Sequence, residues 1–202
     1  MNNNIRTIEK ADRDFVKSIV SAYLDDDVST ILINGFDDND KIIDVFIAVS
    51  KLKSDGKLNK GLIRTWTLGR ASEIINRSFS FYGINSNILL KQNSEIEIAG
   101  VSYKSDKYIQ NSWMKINEDV SIYCPVQGIL SDGDKSLQSF RQSLENDKSK
   151  LKIIVTTSDY DLDTSPIDDL VDSYILLDSS SKYPDTYQII LKNMEIEKLK
   201  YE

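Results

Sequence analysis

A three-layer α/β fold is the architecture this sequence predicts: helices packed on a mixed, mainly parallel sheet, with an antiparallel hairpin insertion at about residues 87–126. Three observations carry that expectation. Short apolar runs rich in β-branched residues, such as Val28–Asn34 and Leu151–Thr157, read as strands buried on both faces. Stretches with apolar residues at helical spacing alternate with them, which is the rhythm of parallel strands joined by helical crossovers. In the middle of the chain that rhythm gives way to short runs alternating polar and apolar residues, the mark of hairpins with one wetted face.

Taken in order, Ile8 to Leu24 places Phe15, Ile19, Val20 and Tyr23 on one stripe and predicts an amphipathic helix. Val28–Asn34 follows as a strand, and Gly35-Phe36-Asp37-Asp38-Asn39 turns the chain. Asp40 to Lys53 repeats the helical spacing with Ile42, Val45, Phe46, Val49 and Leu52, and Ser54-Asp55-Gly56 stops it. Leu62–Leu68 is a strand and Ala71–Phe79 a short helix. Asn87–Lys91, Glu95–Val101, Lys107–Ile116 and Asp119–Val126 are the runs assigned to the hairpin region. Leu137, Phe140 and Leu144 mark a helix, Leu151–Thr157 a strand, Ser165–Ser173 a short helix opened by Pro166, and Tyr174–Leu177 a strand. The segment around Pro184–Leu191 suits either a further strand or a helix, and residues 195–202 are expected to fray. With no repeat or linker in 202 residues, one domain spanning 1–202 is expected.

The sequence has no histidine and one cysteine, Cys124. Ser-His-Asp and Cys-His nucleophilic systems are therefore closed to it, and so are zinc sites of the Cys/His type. The single cysteine and the absence of a hydrophobic leader point to a reducing, cytoplasmic setting. No apolar run approaches the roughly 18–20 residues needed to cross a bilayer, so no membrane role is expected. A net charge of −7 with scattered Lys and Arg disfavours a nucleic-acid partner.

Two acidic loops follow buried strands, where open α/β sheets place their ligand sites. The first holds Asp37, Asp38 and Asp40, and the second holds Asp159, Asp161 and Asp163. These six are the candidate metal ligands. If the strands are parallel, the loops share one sheet end and could hold Mg²⁺, a cation that needs few carboxylates. Asp at a helix start also caps the backbone, and that is the simpler reading of the first loop. The second loop fails the calcium-binding EF-hand pattern, which wants Gly where Thr164 stands and Glu where Leu170 stands. Gly128 to Ser136 approaches the G-x-x-x-x-G-K-[ST] phosphate loop, but Asp134 separates Gly133 from Lys135 and puts a carboxylate where phosphate would sit.

Arg64, Trp66 and Arg70 form a basic–aromatic group on or beside one strand, of the kind that stacks nucleobases, although such residues suit any strand. Seven aspartates between Ser158 and Ser181, with no Lys or Arg among them, form an acidic stretch that could dock a basic partner. The expectation is a non-catalytic binding or regulatory module, a subunit of or adaptor in a larger assembly, with a protein partner and no cofactor. The rival is a Mg²⁺-dependent phosphate-ester enzyme, or a degenerate nucleotide-binding domain, built on the six aspartates.

Overall fold

The computed structural model describes residues 13–108, 118–157 and 163–201, with side chains through Asn193. Its elements run α1 (Arg13–Leu24), β1 (Thr30–Gly35), α2 (Asp38–Ser54), β2 (Lys60–Thr65), α3 (Leu68–Phe81), β3 (Ser94–Ile98), β4 (Val101–Lys107) and β5 (Val120–Tyr123). There follow α4 (Gln127–Ser131), α5 (Asp134–Asn146), β6 (Leu151–Val155), a 3-10 helix (Ser165–Leu170), β7 (Ser173–Leu177) and α6 (Pro184–Tyr201). The strands form one seven-stranded sheet in the order β3-β4-β2-β5-β6-β1-β7. Each neighbouring pair from β4 to β7 is parallel, and only β3 against β4 is antiparallel.

The central strands are apolar on both faces because helices cover both. In β1, Ile31 and Ile33 point into a core shared with α1, α2 and α3, whereas Leu32 points into a second core. Residues of β6 divide the same way, with Leu151, Ile153 and Val155 on the first side and Ile154 on the second. The second core is built from Ile129, Phe140 and Leu144 of α4 and α5, together with Ile167 of the 3-10 helix. Three layers result, as the alternating pattern predicts.

The antiparallel hairpin is present but narrower than the span expected for it. It comprises β3 and β4, with Ser94 opposite Ser105 and Ile98 opposite Val101. Val120–Tyr123 instead enters the middle of the sheet, parallel to β2 and β6. Its alternation misleads because Ser121, the apparently wetted residue, is fully buried and shares a 2.7 Å hydrogen bond with Ser149. Asn87–Lys91 forms no strand. Side chains of α3 take up its backbone instead: Asn76 accepts from the Ile88 N–H (2.8 Å) and donates to the Ile88 carbonyl (2.7 Å), and Ser72 Oγ accepts from the Leu90 N–H (2.9 Å). Most of Lys107–Ile116 lies outside the described residues. The segment left open at the carboxyl end is helical from Pro184 through Tyr201.

Because six strands run the same way, the carboxyl ends of β1, β2, β5, β6 and β7 lie along one edge of the sheet. From β2 the chain passes to α3, which packs on the first core. From β5 it passes through the cis Cys124–Pro125 bond to α4 and α5 on the second. Adjacent loops leaving toward opposite faces open a crevice at that point of an α/β sheet.

Candidate functional site

The first acidic loop is taken up by the fold itself. Asp37 sits just before α2 in extended backbone and accepts the Asp40 N–H at 2.8 Å, a helix cap that satisfies one orphan donor. Burial raises its carboxyl above the ordinary range despite that bond, and the neighbouring Asp40 charge adds to the rise. Asp38 faces Lys41 at 3.3 Å and Arg77 at 3.6 Å. Asp40, only 3% exposed, accepts two 2.7 Å bonds from Lys182 Nζ and also bonds the hydroxyl of Tyr82.

Lys182 in turn lies over the Tyr82 and Tyr183 rings, 5.1 and 5.0 Å from their centroids. Burial pulls its ammonium down, but the Asp40 carboxylate and Tyr183 outweigh that and hold it above its usual value. Burial and the same carboxylate push the Tyr82 phenol up. The cluster ties α2, α3 and the segment before α6 together.

Grouping Asp37, Asp38 and Asp40 around one cation is therefore corrected: each turns to a different partner. Among the described residues no three His, Cys, Asp or Glu side chains are gathered to hold a metal. Of the second loop, Asp159 and Asp161 lie outside the described residues. Asp163 is exposed and accepts the Ser165 N–H at 2.9 Å ahead of the 3-10 helix, and the Ser165 hydroxyl, with that N–H second, lowers its carboxyl.

The near-phosphate loop is likewise occupied by helix. Gly128 lies inside α4, and Gly133 caps α5 at a positive φ of 86°. The basic–aromatic group divides in two. Arg64 is 2% exposed and belongs to the interior, where it bonds Ser143 and faces Asp106 at 3.7 Å. Cys124 is buried as well, and burial pushes its thiol up to about 12, so it is a core residue rather than a nucleophile.

Trp66 and Arg70 do reach a cleft. It measures about 340 Å³ and opens at the carboxyl ends of β2, β5 and β6, where the loops to α3 and α4 diverge. Thr65, Trp66, Thr67, Arg70, Gln127 and Thr157 are among the residues that line it. The Trp66 ring is half-buried and braced by Tyr108, 6.1 Å away, which packs edge-on against Phe140 at 5.6 Å. Thr67 occupies the cap position of α3, yet its side chain makes no capping hydrogen bond.

The two edges of the sheet differ in character. On β3 the exposed positions are Glu95 and Glu97, and charged side chains discourage pairing with another strand. On β7 they are Tyr174 and Leu176, 52% and 71% exposed. Ile175 and Leu177 face the first core. Around β7 stand Asp168, which accepts the Tyr174 hydroxyl at 2.7 Å, Asp169, Asp172 and Asp178. Arg141 pairs with Asp169, and Asp172 accepts the Ser29 and Thr30 N–H groups at 2.9 Å.

No protein-family model and no curated protein matches the chain. Among solved structures, the chain is similar to the C-terminal domain of a possible DNA helicase from Lactobacillus plantarum WCFS1. The match covers 81% of this chain and 96% of that one, at 9% identity and a TM-score of 0.47. No helix among the described residues is long and apolar enough to cross a membrane.

Sequence reasoning names Trp66, Arg70 and Gly128 but passes over Gln127, whose only signal is its place two residues beyond Pro125 at the end of a strand. It finds β7 as a strand but not as an edge. The alternation of Tyr174 and Leu176 with Ile175 and Leu177, next to Asp172 and Asp178, is the signal that was there to be read.

Proposed function

We propose that this chain is a non-catalytic binding module, a subunit or adaptor that takes an extended segment of a protein partner along β7. The observation that carries the reading is the contrast between the sheet edges: Glu95 and Glu97 guard β3, whereas Tyr174 and Leu176 leave β7 uncharged and apolar. An edge strand offers a row of backbone donors and acceptors, and an incoming strand gains main-chain hydrogen bonds there and side-chain specificity from alternate positions. The surrounding aspartates select for a segment carrying Lys or Arg near its apolar residues. A buried, free Cys124 suits a reducing compartment such as the cytoplasm.

Peptide-display selection on the immobilised protein tests the proposal. Enriched peptides should combine apolar residues at alternate positions with flanking Lys or Arg. Their affinity should fall at least tenfold on Leu176→Lys, a surface change that gives β7 the kind of charge β3 already has. Equal retention of those peptides by the variant, or self-association as the sole activity of the edge, would overturn it.

A further inference from the structure

A second site stands apart from β7, at the crevice between β2 and β5. We propose that the cleft binds one nucleotide unit, an aromatic base carrying a phosphate. Four features converge on it.

The cleft occupies the crevice that the divergent loops of an α/β sheet create, and at about 340 Å³ it lies within the range of small-molecule sites. Gln127 is among the lining residues, and both polar atoms of its amide are buried with no hydrogen-bond partner among the described residues. A buried amide left unpaired is destabilising, so a ligand edge offering one donor and one acceptor is favoured there. A base edge presents that pairing.

Trp66 lines the same cleft, an aromatic surface packed against Tyr108 and suited to stacking on a planar ring. Arg70 also lines the cleft, in the first turn of α3, where the Thr67 side chain makes no capping hydrogen bond, and these favour an anion. Arg70 is bound at present to Glu73 at 2.9 Å, but both side chains are more than half exposed. Such a pair is worth little, and the guanidinium can be redirected to a phosphate. Among the described residues, none that lines the cleft is a carboxylate.

The free nucleotide and the end of a single strand present the same chemistry, and the test separates them. Calorimetric titration of the full chain would use AMP, GMP, CMP and UMP, with adenosine, inorganic phosphate and a 5′-phosphorylated oligothymidylate alongside. At least one mononucleotide should bind saturably, and at least tenfold more tightly than adenosine or phosphate alone. Gln127→Leu and Arg70→Ala should each weaken it fivefold or more; in the ligand-free protein Arg70→Ala should leave the melting temperature unchanged, and Gln127→Leu, which removes an unpaired buried amide, should leave it the same or raise it. A merely structural role for Gln127 would instead lower that temperature. Tighter binding of the oligonucleotide than of the monomers assigns the site to a strand end, and the reverse order assigns it to the free nucleotide. The proposal is overturned if no mononucleotide saturates by about 10 mM, or if neither substitution changes the affinity. Because β7 plays no part, the outcome is independent of Leu176→Lys.

Discussion

Replacing Asp40 with Asn removes the charge at the centre of the cluster that joins α2, α3 and the approach to α6. Asp40 is 3% exposed, and the Lys182 side chain it neutralises is 36% exposed. Breaking a fully buried pair costs about 3–5 kcal/mol, and breaking an exposed one costs about 0–1 kcal/mol. With one partner buried and the other partly solvated, the cost falls between them, at about 2–3 kcal/mol. For a chain of this length that lowers the melting temperature by about 4–12 °C. Urea unfolding followed by circular dichroism measures it, on Asp40→Asn, Lys182→Met and the double variant. The two single costs should exceed the double cost by about 1–2 kcal/mol, because each single change strands a charge that the double change does not. Stability of Asp40→Asn within about 0.5 kcal/mol of the parent, or strictly additive costs, would refute the assignment of Asp40 to a structural ion pair.

Two other positions give sharp expectations. Gly35 holds φ at 145°, and an added Cβ would meet the Leu177 carbonyl oxygen at 2.5 Å, an atom fixed by the β1–β7 ladder. Gly35→Ala should therefore cost about 1–3 kcal/mol in the same unfolding assay, and an unchanged midpoint would contradict the strand spacing. Glu118, with a buried side chain, takes Lys60 at 2.8 Å and Lys104 at 2.9 Å. Burial would raise its carboxyl, but the two lysines prevail and hold it below the ordinary value. A depressed folded value means its contribution is fully present above the unfolded pKa of about 4.3 and is lost as pH falls through the folded value. Since both lysines are half exposed, Glu118→Gln should cost only about 1 kcal/mol at pH 7, and the gap to the parent should close in titrations carried below about pH 4. A gap that stays constant down to pH 3 would remove the ion pair from the account.

The layers were legible because burial on both faces leaves a local trace. Ile31-Leu32-Ile33 and Ile153-Ile154-Val155 are apolar without alternation, and only strands covered by helices on both sides tolerate that. Strand order left no such trace. The partner that hides Ser121 is Ser149, 28 residues on, and the cation that claims Asp40 is Lys182, 142 residues on. From sequence, a wetted strand and a buried one with a distant hydroxyl partner look alike, as do a metal ligand and half of a remote ion pair. Sequence points to the carboxyl ends of strands as the place for a site, and the cleft beside Trp66 opens there. Which of those ends open a cleft, and which strand forms an edge, depended on pairings that only the folded chain makes.

The position of β1 has a consequence for the chain as it is made. Its neighbours on both sides, β6 and β7, come from the far end of the sequence, and the bond from Thr156 to Ile33 spans 123 residues. At about 5–20 residues per second, that span takes roughly 6–25 seconds to synthesise. Throughout that interval Ile31, Leu32 and Ile33 have emerged with neither pairing strand available. The nascent protein therefore carries a sticky apolar strand early and closes its sheet late, which makes β1 the segment where a chaperone has most to guard.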